Sequence, residues 1–162
     1  MRIAHLLFAI AAASLVAATT VAAPACAPPA ASDIESGKHL VLISHCNNCH
    51  TAGYVANTGA VPEDRWLMGN PVGWRGKGGT VYASNLRLVM QQLTEDGWVQ
   101  LARVGEWRAP MPWWSLRDYS DDELRAIYRY VRSLKPLGTR APDALPAGQM
   151  PPKPYNQLPD ID

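Results

Sequence analysis

Cys46-Asn47-Asn48-Cys49-His50 joins two of the three cysteines in this 162-residue chain directly to its last histidine. A C-x-x-C pair is found in thioredoxin-like redox sites, in zinc sites and in local disulfides, and with His directly after it in covalent haem attachment. These four kinds of site need different surroundings, so the flanking sequence discriminates between them.

The surroundings of the motif favour haem attachment. A thioredoxin-like pair expects a preceding strand in a βαβ unit, whereas a helix is predicted here. A zinc site needs further Cys or His ligands downstream, and the only other cysteine is Cys26. A disulfide between Cys46 and Cys49 would leave His50 and the glycine-rich segment behind it without a role. In haem attachment the two thiols form thioethers with the two vinyl groups, and the adjacent His50 ligates the iron.

Methionine is the expected ligand on the other face of the haem, because no histidine follows His50. His39 and His45 lie too close to the motif to reach around the ring. Met111 is the best candidate, since the prolines on both sides of it fix its backbone in an extended form. Met68 and Met90 are expected to pack in the core. Met150, in the proline-rich tail, is a weaker candidate ligand.

The first predicted helix leads into the motif. It begins at Ser32 or Asp33, where Ser32 and Glu35 form a capping box, and it runs directly into Cys46. Residues 51–93 then show many glycines and little periodicity. A compact domain tolerates such a long loop when the loop wraps a large prosthetic group that serves as its core.

Two further helices complete a small all-α domain over residues 32–136. A short helix covers residues 95–103 after the cap Thr94, and an amphipathic helix covers residues 121–134 after a second capping box. Residues 137–162 are rich in proline and are expected to form an extended strap or a loose tail.

Tryptophan and tyrosine dominate the aromatic residues, with six of each against one phenylalanine. Both combine a large apolar body with a hydrogen-bonding tip, which suits the wall of a cavity around haem. Ordinary packing or surface exposure would also explain each of them. The predicted haem environment, including donors to the haem propionates, consists of Trp66, Trp74, Arg75, Tyr82 and Trp98.

The first 25 residues are typical of a cleaved export signal. Arg2 precedes an alanine-rich apolar run that ends at Ala23, and small residues suit signal peptidase cleavage before Cys26. A membrane anchor is the alternative, although the run is at the lower limit for a span. Residues 26–31 would then be a short linker, and Cys26 the only candidate for lipid attachment.

Removing Arg2 with the signal takes the formal net charge from +1 to zero. A neutral chain lacks the basic footprint of a nucleic-acid-binding protein. No second apolar run is long enough to cross a bilayer. Membrane contact is therefore expected only through a lipid on Cys26 or through a partner complex.

Over residues 32–136 the chain resembles the class I c-type cytochromes, and in particular the cytochrome c domains associated with alcohol and aldehyde dehydrogenases. In that family a glycine of the first helix packs against an aromatic residue of the last, which pairs Gly37 with Tyr130. The chain departs from those dehydrogenase subunits in having one haem motif, where they usually have three, and in lacking a Thr-Pro-Asp run after Asn85. The closer likeness rests on Gly79-Thr80-Val81-Tyr82-Ala83-Ser84-Asn85, Gly97-Trp98, Met111-Pro112 and residues 130–136.

The resemblance implies a small fold packed around one covalent haem c, and a periplasmic electron carrier that is not itself an enzyme. Its expected donor is a dehydrogenase or a quinol-oxidising complex, and its expected acceptor is an oxidase or reductase. Two other classes stay open. A peroxidase-like enzyme needs an open sixth iron position, and a gas or redox sensor needs an output element.

Overall fold

The computed structural model describes residues 30–159. The predicted signal peptide, Cys26 and most of the predicted linker therefore lie outside the described residues. Within them the chain is helix-rich, with α1 at Ala31–Ile43, α2 at Cys46–His50, α3 at Leu86–Val89, α4 at Glu95–Val104 and α5 at Asp121–Ser133. Two 3₁₀ turns, Glu63–Arg65 and Trp113–Asp118, lie between them.

The two longest helices, α1 and α5, cross against each other and form the centre of the domain. Gly37 lies at the crossing, where a Cβ atom would overlap the carbonyl oxygen of Ala126 and come within 2.7 Å of the Cβ of Tyr130. Close approach of two helix backbones requires a residue without a side chain at that point. The predicted contact of Gly37 with Tyr130 is confirmed.

The core lies between this helix pair, α4 and the segment after the motif. It contains Val41, Trp66, Leu67, Met90, Trp98, Val99, Ala102, Leu124, Ile127, Tyr130 and Val131. Arg87 is buried beside it and donates to the carbonyl oxygens of Trp66 at 2.7 Å and Leu134 at 3.0 Å. This guanidinium joins the loop after the motif to the end of α5, because it satisfies carbonyls from both.

The helices α4 and α5 begin as their caps predict. The Thr94 side chain accepts from the Gly97 amide at 3.0 Å, and Gly105 follows the end of α4. At α5 the Ser120 and Glu123 side chains form the full capping box. Both caps satisfy amides that have no partner inside the helix.

The predicted start of α1 is wrong in detail. The helix begins at Ala31, its N-cap Ala30 makes no side-chain hydrogen bond, and Ser32 lies inside the first turn. The amides of Asp33 and Ile34 donate to the Ala30 carbonyl at 3.0 and 3.4 Å, so backbone contacts begin the helix without a side-chain cap.

The predicted continuity of α1 with the motif is also wrong. The first helix ends at Ile43, and His45 adopts a left-handed φ of 58° before α2 begins at Cys46. The chain turns there, so the motif lies on a separate five-residue helix.

The expectation of a purely all-α fold is corrected by a small sheet. β1, at Gly73–Gly76, pairs antiparallel with β2, at Gly79–Val81, and parallel with β3, at Tyr155–Gln157, in the order β2-β1-β3. The hairpin β1–β2 lies within the glycine-rich loop, and β3 comes from the proline-rich C-terminal segment. None of the helices among residues 30–159 is both long enough and apolar enough to cross a membrane.

Candidate functional site

The short helix α2 presents the two motif cysteines together. Cys46 and Cys49 are both free thiols and both half-buried, and residues three apart lie on the same face of a helix. Burial raises the pKa of the Cys46 thiol to about 11 and also raises the pKa of the Cys49 thiol. Reactive dithiol pairs instead have lowered pKa values, so these thiols do not resemble a thioredoxin-like pair.

Within the described residues, the imidazole of His50 makes one hydrogen bond. Its Nδ1 atom lies 2.8 Å from the carbonyl oxygen of Ser84, and the side chain is buried. A carbonyl oxygen only accepts hydrogen bonds, so Nδ1 carries the proton and donates. Burial lowers the pKa of His50, with the hydrogen bond to Ser84 acting in the opposite direction. The neutral imidazole therefore has its lone pair on Nε2, the nitrogen that can ligate a metal.

The backbone around His50 is fixed by the segment that follows the motif. The Gly69 amide donates to the His50 carbonyl at 2.8 Å, and the Leu67 amide donates to the Thr51 hydroxyl at 2.8 Å. Thr51 in turn donates to the side-chain oxygen of Asn47, inside the motif, at 2.6 Å. These contacts fix the position of α2 and of the imidazole that follows it.

Among the candidate distal ligands, Met111 lies in a loop that is attached to the hairpin. Arg108 donates to the carbonyl oxygen of Gly78, in the β1–β2 turn, at 2.7 Å. The Trp113 amide donates to the Met111 carbonyl at 2.9 Å, and the Met111 side chain is half-buried. Ser84 follows the end of β2 by three residues, so the loop of Met111 contacts the hairpin and His50 contacts the segment that continues from it.

The other methionines occupy different surroundings. Met90 is 1% exposed within the core, whereas Met150 is 54% exposed. Met68 is half-buried and lines a 210 Å³ cavity together with Arg65, Pro71 and Thr139. Core packing is confirmed for Met90 and is wrong for Met68, which is half-buried beside a cavity and outside the core cluster. The assignment of Met111 as a ligand stays a prediction.

The five residues predicted around the haem fall into two groups. Trp66 and Trp98 are buried and donate their indole N–H to the carbonyls of Val61 at 2.6 Å and Leu124 at 2.8 Å. An indole has one donor, so neither of them is free to donate to a propionate.

The other three residues predicted around the haem lie on or next to the hairpin and are half-buried; they are Trp74, Arg75 and Tyr82. Arg75 donates to the Gln157 side chain at 3.1 Å. Within residues 30–159, the indole N–H of Trp74 and the hydroxyl of Tyr82 make no hydrogen bond, so these two keep a donor for a ligand.

Sequence reasoning missed three residues of this arrangement. Ser84 acts through its carbonyl, which no sequence pattern marks. Arg108 lies three residues before Met111, and no sequence pattern indicates its contact with the Gly78 carbonyl. Asn85 caps α3 by accepting from the Leu88 amide at 3.2 Å, a role that an Asn directly before a short apolar run could have indicated.

The donor set fits covalent haem c. Two protonated thiols on one face of α2 can add to the two vinyl groups, and a neutral imidazole with its Nε2 lone pair follows the second thiol directly. The chain matched no protein family, no curated protein and no solved structure in the three comparisons with known proteins. The site geometry therefore carries the functional assignment without support from a relative.

Proposed function

We propose that this protein is a monohaem c-type cytochrome that carries single electrons in the periplasm. The observation that carries the proposal is the state of His50. Its Nδ1–H is bound to the Ser84 carbonyl at 2.8 Å, which leaves Nε2 as the ligating nitrogen beside two free thiols. A metal-ligating histidine is ordinarily oriented by such a hydrogen bond from its other nitrogen.

Each residue of the site has a defined part in this proposal. Cys46 and Cys49 anchor the haem covalently, and His50 is the proximal ligand. The Ser84 carbonyl fixes the orientation of the imidazole and increases its basicity. Met111 supplies the distal thioether, and His/Met ligation raises the reduction potential. When bound, the haem iron takes up and releases one electron.

Electrons then enter and leave through brief contacts with partner proteins. The proposed donor is a dehydrogenase or quinol-oxidising complex, and the proposed acceptor is an oxidase or reductase. Transient redox contacts have small interfaces that separate quickly. The formal neutrality of the chain without its leader favours such weak association, since it provides little long-range attraction for an oppositely charged partner.

A potentiometric titration of the purified full-length protein tests this function. It should show one reversible one-electron transition in the visible haem bands, together with the far-red ferric band that marks methionine–iron coordination. The His50→Ala variant is the matched control and should lose the native low-spin spectrum while keeping the covalent haem. A two-electron thiol–disulfide transition, or rapid turnover of peroxide by the wild type, would overturn the proposal.

A further inference from the structure

The C-terminal strap, residues 137–159, bonds to both outer edges of the β1–β2 hairpin. On one edge, β3 pairs with β1, and the Leu158 amide donates to the Arg75 carbonyl at 2.8 Å. On the other edge, Leu145 and Thr80 exchange two backbone hydrogen bonds of 3.0 and 2.9 Å. A two-stranded hairpin of this length is marginal by itself, so the strap is what completes it.

The hairpin turn is shaped to receive the strap. Gly79 has a φ of +108°, and a Cβ atom there would overlap the Leu145 carbonyl and come within 2.8 Å of the carbonyl carbon of Pro146. Only glycine combines that backbone conformation with so close an approach. The strap therefore lies directly on the hairpin backbone.

The beginning of the strap is joined to the residue next to Ser84. Asn85 is 1% exposed, and its side-chain nitrogen donates to the carbonyls of Leu137 at 2.8 Å and Thr139 at 3.2 Å. Ser84 is the residue whose carbonyl holds His50. Movement of the strap would thus reach the proximal histidine through two intervening residues, Asn85 and Ser84.

The hairpin also restrains the loop of the distal candidate. Arg108 donates to the Gly78 carbonyl at 2.7 Å, and the Met111 amide donates to the Arg108 carbonyl at 3.4 Å. The loop of Met111 is therefore attached to the hairpin itself, and His50 is attached to the segment that follows the hairpin. The strap bonds to both of these.

We infer that the strap is a positioning element that keeps Met111 on the iron and keeps the His50 imidazole in its ligating orientation. This inference rests on the proposed function. The reaction that reports on this role is the competition between Met111 and an external ligand for the sixth coordination position of the iron. Loosening the hairpin increases the fraction of molecules in which Met111 has left the iron, and the apparent affinity for the external ligand rises with that fraction.

Cyanide binding to the ferric holoprotein is the test. Leu145→Pro removes the amide that donates to Thr80, and Leu158→Pro removes the amide that donates to Arg75. Each variant should bind cyanide about fivefold more tightly than the wild type, the factor that corresponds to the loss of one ordinary hydrogen bond. Ala144→Pro is the matched control, because within residues 30–159 the Ala144 amide donates no hydrogen bond; its cyanide affinity should be unchanged.

The outcomes separate this inference from the proposed function. A wild-type protein that lacks covalent haem or the methionine–iron band would overturn the proposed function and this inference with it. A wild type with both features, but with Leu145→Pro and Leu158→Pro indistinguishable from Ala144→Pro in cyanide affinity, would overturn the positioning role alone. Because the Leu158 amide makes one hydrogen bond, at the edge of the sheet, Leu158→Pro keeps the test decisive if Leu145→Pro does not fold.

Discussion

Ser84 contributes to the site through a main-chain carbonyl, so its effect on His50 depends on backbone position and not on its side chain. The 2.8 Å contact decides which imidazole nitrogen carries the proton. Adjacent residues of the motif could be predicted as a site because the chemistry of haem attachment needs them in that order. The Ser84 contact could not be predicted, because it joins residues 34 positions apart.

The first prediction for a single residue concerns the distal ligand. Met111→Ala should abolish the far-red ferric band and allow the ferrous protein to bind carbon monoxide, because the sixth iron position becomes open. Absorption spectra of the purified protein, with and without carbon monoxide, provide the measurement. Met68→Leu is the matched control, since Met68 lines a cavity with Arg65 and Thr139 and is not an expected iron ligand. Transfer of the Met111 phenotype to Met150→Ala would contradict the assignment.

The second prediction concerns Glu63, which joins α1 to α5. One carboxylate oxygen accepts from Lys38 at 2.6 Å and the other accepts from the Tyr130 hydroxyl at 2.9 Å. The hydrogen bond from Lys38, with that from Tyr130, lowers the pKa of Glu63. A carboxyl with a lowered folded-state pKa adds stability above its unfolded-state pKa and loses it as the pH falls through the folded-state pKa.

Glu63→Gln should therefore destabilise the protein at neutral pH, and the difference from the wild type should disappear as the pH falls below the normal range of a glutamate. Because the Glu63 side chain is 40% exposed, solvent screening limits the loss to about 0.5–1 kcal/mol. Denaturant unfolding of the holoprotein across this pH range measures it. Glu106→Gln, at a side chain 69% exposed, is the control and should change the free energy of unfolding little. A difference that grows towards acid pH would refute this account of Glu63.

At the scale of elements, the helices show what sequence patterns can and cannot predict. The caps at Thr94 and Ser120 each precede an apolar periodicity, so both helix starts could be read directly. The start of α1 could not be predicted in this way. Ser32 and Glu35 match the capping-box pattern, but the helix begins at Ala31 with hydrogen bonds to the Ala30 carbonyl and without a side-chain cap. The strands of the hairpin are three and four residues long and rich in glycine, too short to show an alternating pattern.

The prediction at this scale tests the α1–α5 crossing. Gly37→Ala should destabilise the protein by about 1–3 kcal/mol, because the added methyl group meets backbone and Cβ atoms that cannot rotate away. Alanine would otherwise stabilise the middle of a helix by about 1 kcal/mol over glycine, so the sign of the effect is diagnostic. Chemical denaturation of the two holoproteins measures it.

The control for this crossing is Gly78→Ala. A Cβ atom at Gly78 would have no atom within 4 Å, and the carbonyl that binds Arg108 is kept. Its free energy of unfolding should stay close to that of the wild type. A Gly37→Ala protein as stable as the wild type would show that the helices do not approach as closely as described.

For the whole molecule, the proposed parts are an export leader and one covalently bound haem, and the strap completes the sheet. A charged start and an apolar run predict the leader, which lies outside the described residues. The role of the proline-rich segment could not be decided from composition, because proline favours extended chain whether or not that chain is paired. Its pairing with β1 and Thr80 depends on contacts between residues far apart in the sequence.

The most direct test of the central claim is the intact mass of the exported full-length protein under denaturing conditions. The account predicts the mass of residues 26–162 plus one haem, and any lipid on Cys26 would appear as a further increment. The Cys46→Ser/Cys49→Ser double variant should lose the haem increment and nothing else beyond the two substitutions. A wild-type protein exported at the mass of the bare polypeptide, with both thiols free to react, would contradict the assignment of Cys46, Cys49 and His50 as a haem c site.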